Sequence, residues 1–218
     1  MGNGKESGEA GRHQEAVRFF SEAIGVKPRH GGAYVSRGWA FFQLRAYQEA
    51  FEDASEGVRL DPTISRGFFI QALVLGLEGN LDGCLKQVEK ALRMDSQAPG
   101  LWCLRGSVQL VLAQESTGAE RKALGTKAAA DLTQALRLCP DHAEATYNRG
   151  LCHAEFGNHH AAIEDFTTAM MLDPDIENMT KIVKRDEKSR LARAAAKANV
   201  AAKATAVQPF LFRLPGDS

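Results

Sequence analysis

The sequence predicts an all-α protein, a solenoid of antiparallel helix pairs, and three observations carry that prediction. Apolar residues recur three and four apart through residues 31–44 and 46–60, the spacing of one helical face. Pro28 and Pro62 lie 34 residues apart, as do Pro140 and Pro174. A shared phrase surrounds three glycines: Tyr34-Val-Ser-Arg-Gly-Trp-Ala-Phe41, Trp102-Cys-Leu-Arg-Gly-Ser-Val-Gln109 and Thr146-Tyr-Asn-Arg-Gly-Leu-Cys-His153. One helical hairpin cannot bury its apolar face, whereas a stack of three or more can.

The elements follow in chain order. Residues 11–30 have the pattern of the second helix of a hairpin, through Ala16, Phe20, Ala23 and Pro28. Its first helix would fall on Met1–Ala10, where three glycines and the lack of an apolar face predict fraying that leaves Val17 and Phe20 poorly covered. Residues 31–64 form a full repeat, in which the small Gly38, Ala50 and Gly57 allow two helices to approach closely. Residues 65–98 form a divergent one, with Ala72 and Ser96 in place of the usual Gly and Pro. Residues 99–142 form a third with about ten extra residues near 113–122, a polar insertion that either lengthens both helices or loops out on one face. Residues 143–176 form the fourth, with Ala162, Phe166, Ala169 and Pro174 at the expected offsets. A long basic helix is expected over 175–206, opening on Ile176, Met179 and Val183 to cap the last repeat, and an apolar tail over 207–218.

This pattern resembles the tetratricopeptide repeat, whose 34-residue unit places an aromatic, Leu-Gly, Tyr, Ala, Phe and Pro at fixed offsets. The resemblance covers residues 1 to about 176. It implies a right-handed superhelical solenoid in which the first helix of each unit lines a concave groove, and a non-catalytic adaptor or scaffold that binds a protein partner there. In that register the groove positions are Val35, Trp39, Phe42, Phe69, Ile70, Leu73, Leu77, Cys103, Leu104, Leu110, Tyr147 and Leu151, a mostly apolar set. A well-known subclass of the family resembles a carboxylate clamp for chaperone C-termini. Its Asn position is filled here by Ser36, Ile70 or Leu104, depending on the starting unit, and only Arg66 and Asn148 offer suitable polar groups. No chaperone tail is therefore expected as a ligand.

Composition bounds the alternatives. With 44% hydrophobic and 25% charged residues the chain suits a folded protein and not a disordered one. Lys plus Arg equals Asp plus Glu at 27 each, so no overall basic excess favours nucleic acid. Yet residues 181–203 carry eight Lys or Arg against two acids. Lys184, Arg185, Lys188, Arg190 and Arg193 therefore form the contact set of an alternative: a structural component of a cytoskeletal or ciliary assembly, held to an acidic surface by the basic helix. The tail segment Gln208–Pro215 is expected to dock Phe210, Leu211 and Phe212 into an apolar groove of this chain or of a second copy. Self-association through the N-terminal half-repeat or this tail is thus a further expectation.

No run of apolar residues is long enough to span a bilayer, and Met1–Glu6 lacks the apolar stretch of an export signal. The four cysteines are too scattered for a disulfide framework, and a cytoplasmic location is expected. Cys139, His142, Cys152, His153, His159 and His160 cluster without the paired spacing of structural zinc, so no metal and no cofactor are expected. No phosphate loop, nucleophile elbow or metalloprotease motif occurs. Asp53, Glu56, Asp61, Glu164, Asp165 and Asp173 are expected on solvated helix faces, and no enzymatic activity is expected.

Overall fold

At two of the three repeat phrases a histidine side chain starts the helix. His30 Nδ1 accepts from the Ala33 N–H at 3.1 Å, opening α2 (Gly31–Gln43), and His142 Nδ1 accepts from the Ala145 N–H at 3.2 Å, opening α8 (Ala143–Glu155). Asn80 Oδ1 does the same for the Gly83 N–H, at 2.9 Å, ahead of α5 (Leu81–Met94). The computed structural model describes residues 3–174 and 176. Among them the remaining helices are α1 (Asn3–Val26), α3 (Tyr47–Leu60), α4 (Ser65–Leu77), α6 (Pro99–Glu115), α7 (Gly118–Leu138) and α9 (His159–Leu172), and no strand occurs. The expected basic helix, the apolar tail and the residues Lys184, Arg185, Lys188, Arg190, Arg193, Phe210, Leu211 and Phe212 lie outside the described residues.

Four antiparallel hairpins result: α2 with α3, α4 with α5, α6 with α7, and α8 with α9. The second helix of each hairpin packs on the first helix of the next, and α1 packs on α2. In addition, α2 touches α4, α4 touches α6, and α6 touches α8. The first helices therefore crowd along one side of residues 1–172, which is the inner side of a solenoid. This is the all-α solenoid that the sequence predicts.

Three hairpins turn in the same way. The residue just past the first helix takes a left-handed conformation: Arg45 (φ 60°), Gly79 (φ 79°) and Gly157 (φ 82°). Glycine adopts that conformation without the steric cost that a side chain adds. In the third hairpin α6 runs past this point to 17 residues and α7 to 21, against 13 and 14 in the first hairpin. The insertion is thus absorbed as helix on both sides of a short turn.

The buried apolar residues fall into three clusters. Val35, Ala50, Ala54, Ile70 and Val74 make the first. Phe68, Cys84, Val88, Leu92 and Leu101 are in the second, and Cys103, Leu110, Leu132, Ala145 and Cys152 in the third. Small residues set the helix spacing: a Cβ on Gly38 would stand 3.1 Å from the Ala50 carbonyl oxygen.

Two expectations require correction. The segment expected to fray, residues 1–10, is helical from Asn3 on, as the start of α1, a single 24-residue helix. Val17 and Phe20 are half-buried, while Phe19 and Val26 on α1 are exposed. Asp53 and Asp165 are not on solvated faces. Both are buried, as is Asp131, because each faces an arginine across its hairpin.

Candidate functional site

The arginine of the repeat phrase shapes the inside of three of the four hairpins. Arg37 donates from Nε and Nη2 to the two carboxylate oxygens of Asp53, at 2.7 and 2.8 Å. Arg105 makes the same fork with Asp131 at 2.6 and 2.7 Å, and Arg149 with Asp165 at 2.9 and 2.6 Å. These bonds push each guanidinium's pKa above its ordinary value, against the opposing effect of burial. In the second hairpin the equivalent positions are Gln71 and Gln87. Gln71 Nε2 donates to Ser55 Oγ at 2.9 Å, and Gln87 Oε1 is buried without a partner. Asp53, Asp131 and Asp165 serve structure, since both oxygens of each carboxylate are taken up by a bidentate arginine.

With the arginines turned into the hairpins, a half-buried face of the first helices carries rings. Trp39 stacks with Phe42 at 5.7 Å between centroids and with Phe69 at 6.3 Å, so α2 and α4 share one aromatic surface. Phe42 continues it to Tyr47 at 5.5 Å. The Arg66 guanidinium lies 5.3 Å from the Trp39 ring centroid, a cation–π contact. Below Phe69, a recess of about 350 Å³ opens between α4 and α6, lined by Arg66, Phe69, Asp95, Ala98, Gly100 and Leu101 among others.

The expected groove residues divide into two sets. Trp39, Phe42, Phe69, Leu73, Leu104, Tyr147 and Leu151 are half-buried, and Leu77 is 60% exposed. Val35 and Ile70 are corrections: at 2% and 0% exposure they belong to the core between helices, as do Cys103 and Leu110. The first helices are apolar on two faces, and these residues occupy the face turned to the second helices. The recess itself has no counterpart in the sequence pattern, because its rim comes from the α5–α6 turn, whose residues Asp95 and Ala98 carry no groove signature.

The clustered Cys and His residues have separate roles. His142 caps α8, and the Cys152 thiol lies 3.5 Å from the Gly125 carbonyl oxygen. His153 lies 3.8 Å from the Asp165 carboxylate, and His160 lies 3.2 Å from Glu164. Among the described residues no group of three or more His, Cys, Asp or Glu is placed to hold a metal ion. No described helix is long and apolar enough to cross a membrane.

The fold and this face define a class, the helical-hairpin repeat solenoids whose first helices line an inner surface. The tetratricopeptide repeat profile matches residues 2–63 and 125–175, just over half of the chain, and the chain belongs to that family. Over 99 residues it is 33% identical to an Hsp70-Hsp90 organizing protein of Triticum aestivum, covering 45% of this chain and 17% of that protein. Over 84 residues it is 32% identical to U-box domain-containing protein 70 of Oryza sativa subsp. japonica, covering 38% of this chain and 10% of that one. The match thus spans under a fifth of the length of these relatives. Among solved structures, TTC0263 of Thermus thermophilus, a tetratricopeptide repeat protein, superposes with a TM-score of 0.61 at 21% identity, over 80% of this chain and 90% of that one. YrrB, described as a repeat protein with an unusual peptide-binding site, gives 0.55 at 20% identity over 80% and 84%. Both likenesses concern the fold.

Proposed function

We propose that this chain is a non-catalytic adaptor that binds a peptide or helix of a partner protein along the apolar inner face of α2, α4, α6 and α8. The observation that carries this is the shared ring surface of Trp39, Phe42 and Phe69, extended by Leu73 and the exposed Leu77. Aromatic side chains grouped on an accessible surface are what partner-binding faces are built from. Membership of the tetratricopeptide repeat family supports the reading. The relatives' names speak of organising Hsp70 and Hsp90, but the ligand proposed here is not a chaperone tail. Ser36, Ile70 and Leu104 stand where a carboxylate clamp would need asparagine, and Ile70 is fully buried.

Selection of a random peptide library on the 218-residue chain tests the proposal. Selected peptides should lose at least about tenfold in affinity on Trp39→Ala or Leu77→Glu, the scale of a lost interface anchor. They should be unaffected by Ile163→Glu, an equally exposed change on α9. Peptides sensitive to Ile163→Glu and indifferent to the two inner-face changes would place binding elsewhere. A micromolar affinity for a peptide ending in Glu-Glu-Val-Asp would overturn the exclusion of chaperone tails.

A further inference from the structure

The recess between α4 and α6 combines an apolar floor with one cation. Phe69, Ala98 and Leu101 supply apolar surface, and the absence of a side chain on Gly100 keeps the recess open: a Cβ there would meet Phe69 Cζ at 3.6 Å. Its volume of about 350 Å³ is at the small end of the range for ligand pockets, ~300–1,000 Å³, and suits one side chain rather than a whole small molecule. Arg66 stands at the rim. It differs from Arg37, Arg105 and Arg149 in having no carboxylate partner among the described residues, and its guanidinium rests against Trp39. Resting on a ring limits the freedom of a long side chain while leaving its outward N–H groups available, so less is lost when an anion binds. Asp95 also lines the recess, and its Oδ1 already accepts from the Gln97 N–H at 3.0 Å.

We infer that this recess is the anchor point of the groove and that it reads an internal apolar–acidic pair in the partner: one aliphatic side chain enters between Phe69 and Leu101, and the side-chain carboxylate beside it pairs with Arg66. The inference rests on the adaptor reading and adds the partner's chemistry to it. Charge complementarity selects a single acid. Arg66 attracts one carboxylate, whereas Asp95 within the same recess repels a second. A run of acids, or the paired charges of an acidic residue at a free C-terminus, is therefore disfavoured.

The test uses the 218-residue chain with Trp102→Phe, which leaves Trp39 as the one tryptophan of the two in the sequence. Trp39 fluorescence is titrated with acetylated, amidated ten-residue Gly/Ser peptides centred on Leu-Glu, Leu-Gln, Ala-Glu or Glu-Glu, and with an acetylated peptide ending in free Met-Glu-Glu-Val-Asp. The Leu-Glu peptide should bind at least about fivefold more tightly than Leu-Gln, as expected for a charge-assisted contact. Arg66→Gln should remove that difference while retaining the preference for Leu over Ala. Gly100→Leu, which fills the recess, should remove the preference for Leu. Equal binding of Leu-Glu and Leu-Gln to the parent protein would overturn the inference and leave the adaptor reading standing, as would tighter binding of Glu-Glu or of the free C-terminus. If none of these peptides binds, the inference fails. The adaptor reading fails with it only if the library selection also yields no ligand sensitive to the inner face.

Discussion

Arg105 and Asp131 are 26 residues apart, yet they form the same two-pronged ion pair that Arg37 and Asp53 form across 16. The extra residues all lie on the turn side of the pair. Each lengthened helix therefore continues outward while the packed part of the hairpin keeps its register. The carboxylates are about nine-tenths buried and the guanidiniums about three-quarters.

Because the pairs are largely desolvated, removing one member leaves the other charge buried. Asp131→Ala is expected to destabilise the protein by about 3 kcal/mol. Glu56→Ala, which breaks the solvent-exposed Glu56–Arg59 pair, should leave the urea midpoint nearly unchanged. Urea unfolding of both variants checks the contrast, and equal losses would mean that the hairpin pairs are ordinary surface contacts.

The second hairpin lacks the pair and keeps Gln71 and Gln87, the latter with an unpartnered buried oxygen. Gln71→Arg alone, or Gln87→Asp alone, buries an unpaired charge and is expected to destabilise. The double substitution should recover most of the loss, with a coupling of about 1–3 kcal/mol. A double-mutant cycle by denaturant unfolding measures this directly, and strict additivity would show that the two positions do not meet.

Gly125 on α7 faces the ring of Phe156, and a Cβ there would lie 2.0 Å from the ring atom Cζ. Alanine is the better helix former by about 1 kcal/mol, but no ring of a packed fourth hairpin can shift that far without strain. Gly125→Ala should therefore lower the melting temperature, and Phe156→Leu in the same protein should restore part of it. A stabilised Gly125→Ala variant would refute the contact.

Three of the four thiols are buried. Burial pushes Cys84 up to about 11 and Cys103, helped by the Glu144 charge, up to about 12; it also raises Cys152, with Glu155 assisting. At pH 8 these thiols are protonated as well as covered, so a disulfide reagent should label the half-exposed Cys139 quickly and the other three only on unfolding. The linkage runs the same way. A folded-state value raised above the ordinary 9.0 favours the folded state at lower pH, and that contribution is lost as pH rises from about 9 toward 11. Denaturant midpoints should fall over that window. Rapid labelling of more than one thiol in the native protein would contradict the packing.

The helices and their order were legible because periodicity and proline spacing report directly on local geometry. The pairing of charges was not, because a lone Asp53 or Asp165 in a polar helix looks like any solvated acid. The signal was nevertheless present: Arg37 with Asp53, and Arg149 with Asp165, share a separation of 16 residues. The groove was only half legible. α4 is apolar around most of its circumference, in Phe68-Phe-Ile-Gln-Ala-Leu-Val74, so periodicity cannot separate the face of Leu73 and Phe69 from that of Ile70. Tertiary packing alone decides which of the two is covered.

The longer third hairpin bears on how a peptide of the proposed kind would be aligned. A solenoid of equal hairpins presents similar surfaces at each step, so an extended ligand could settle one unit forward or back with little penalty. Here α7 is longer than α3 by seven residues, about 10 Å of helix, and Arg121 in that extra length pairs with Glu155 at the end of α8. The overhang is thus fastened to the fourth hairpin, and it interrupts the array at one fixed place. For the proposed adaptor, the four hairpins are then not interchangeable steps, and a ligand displaced by a single unit would meet a hairpin of different length.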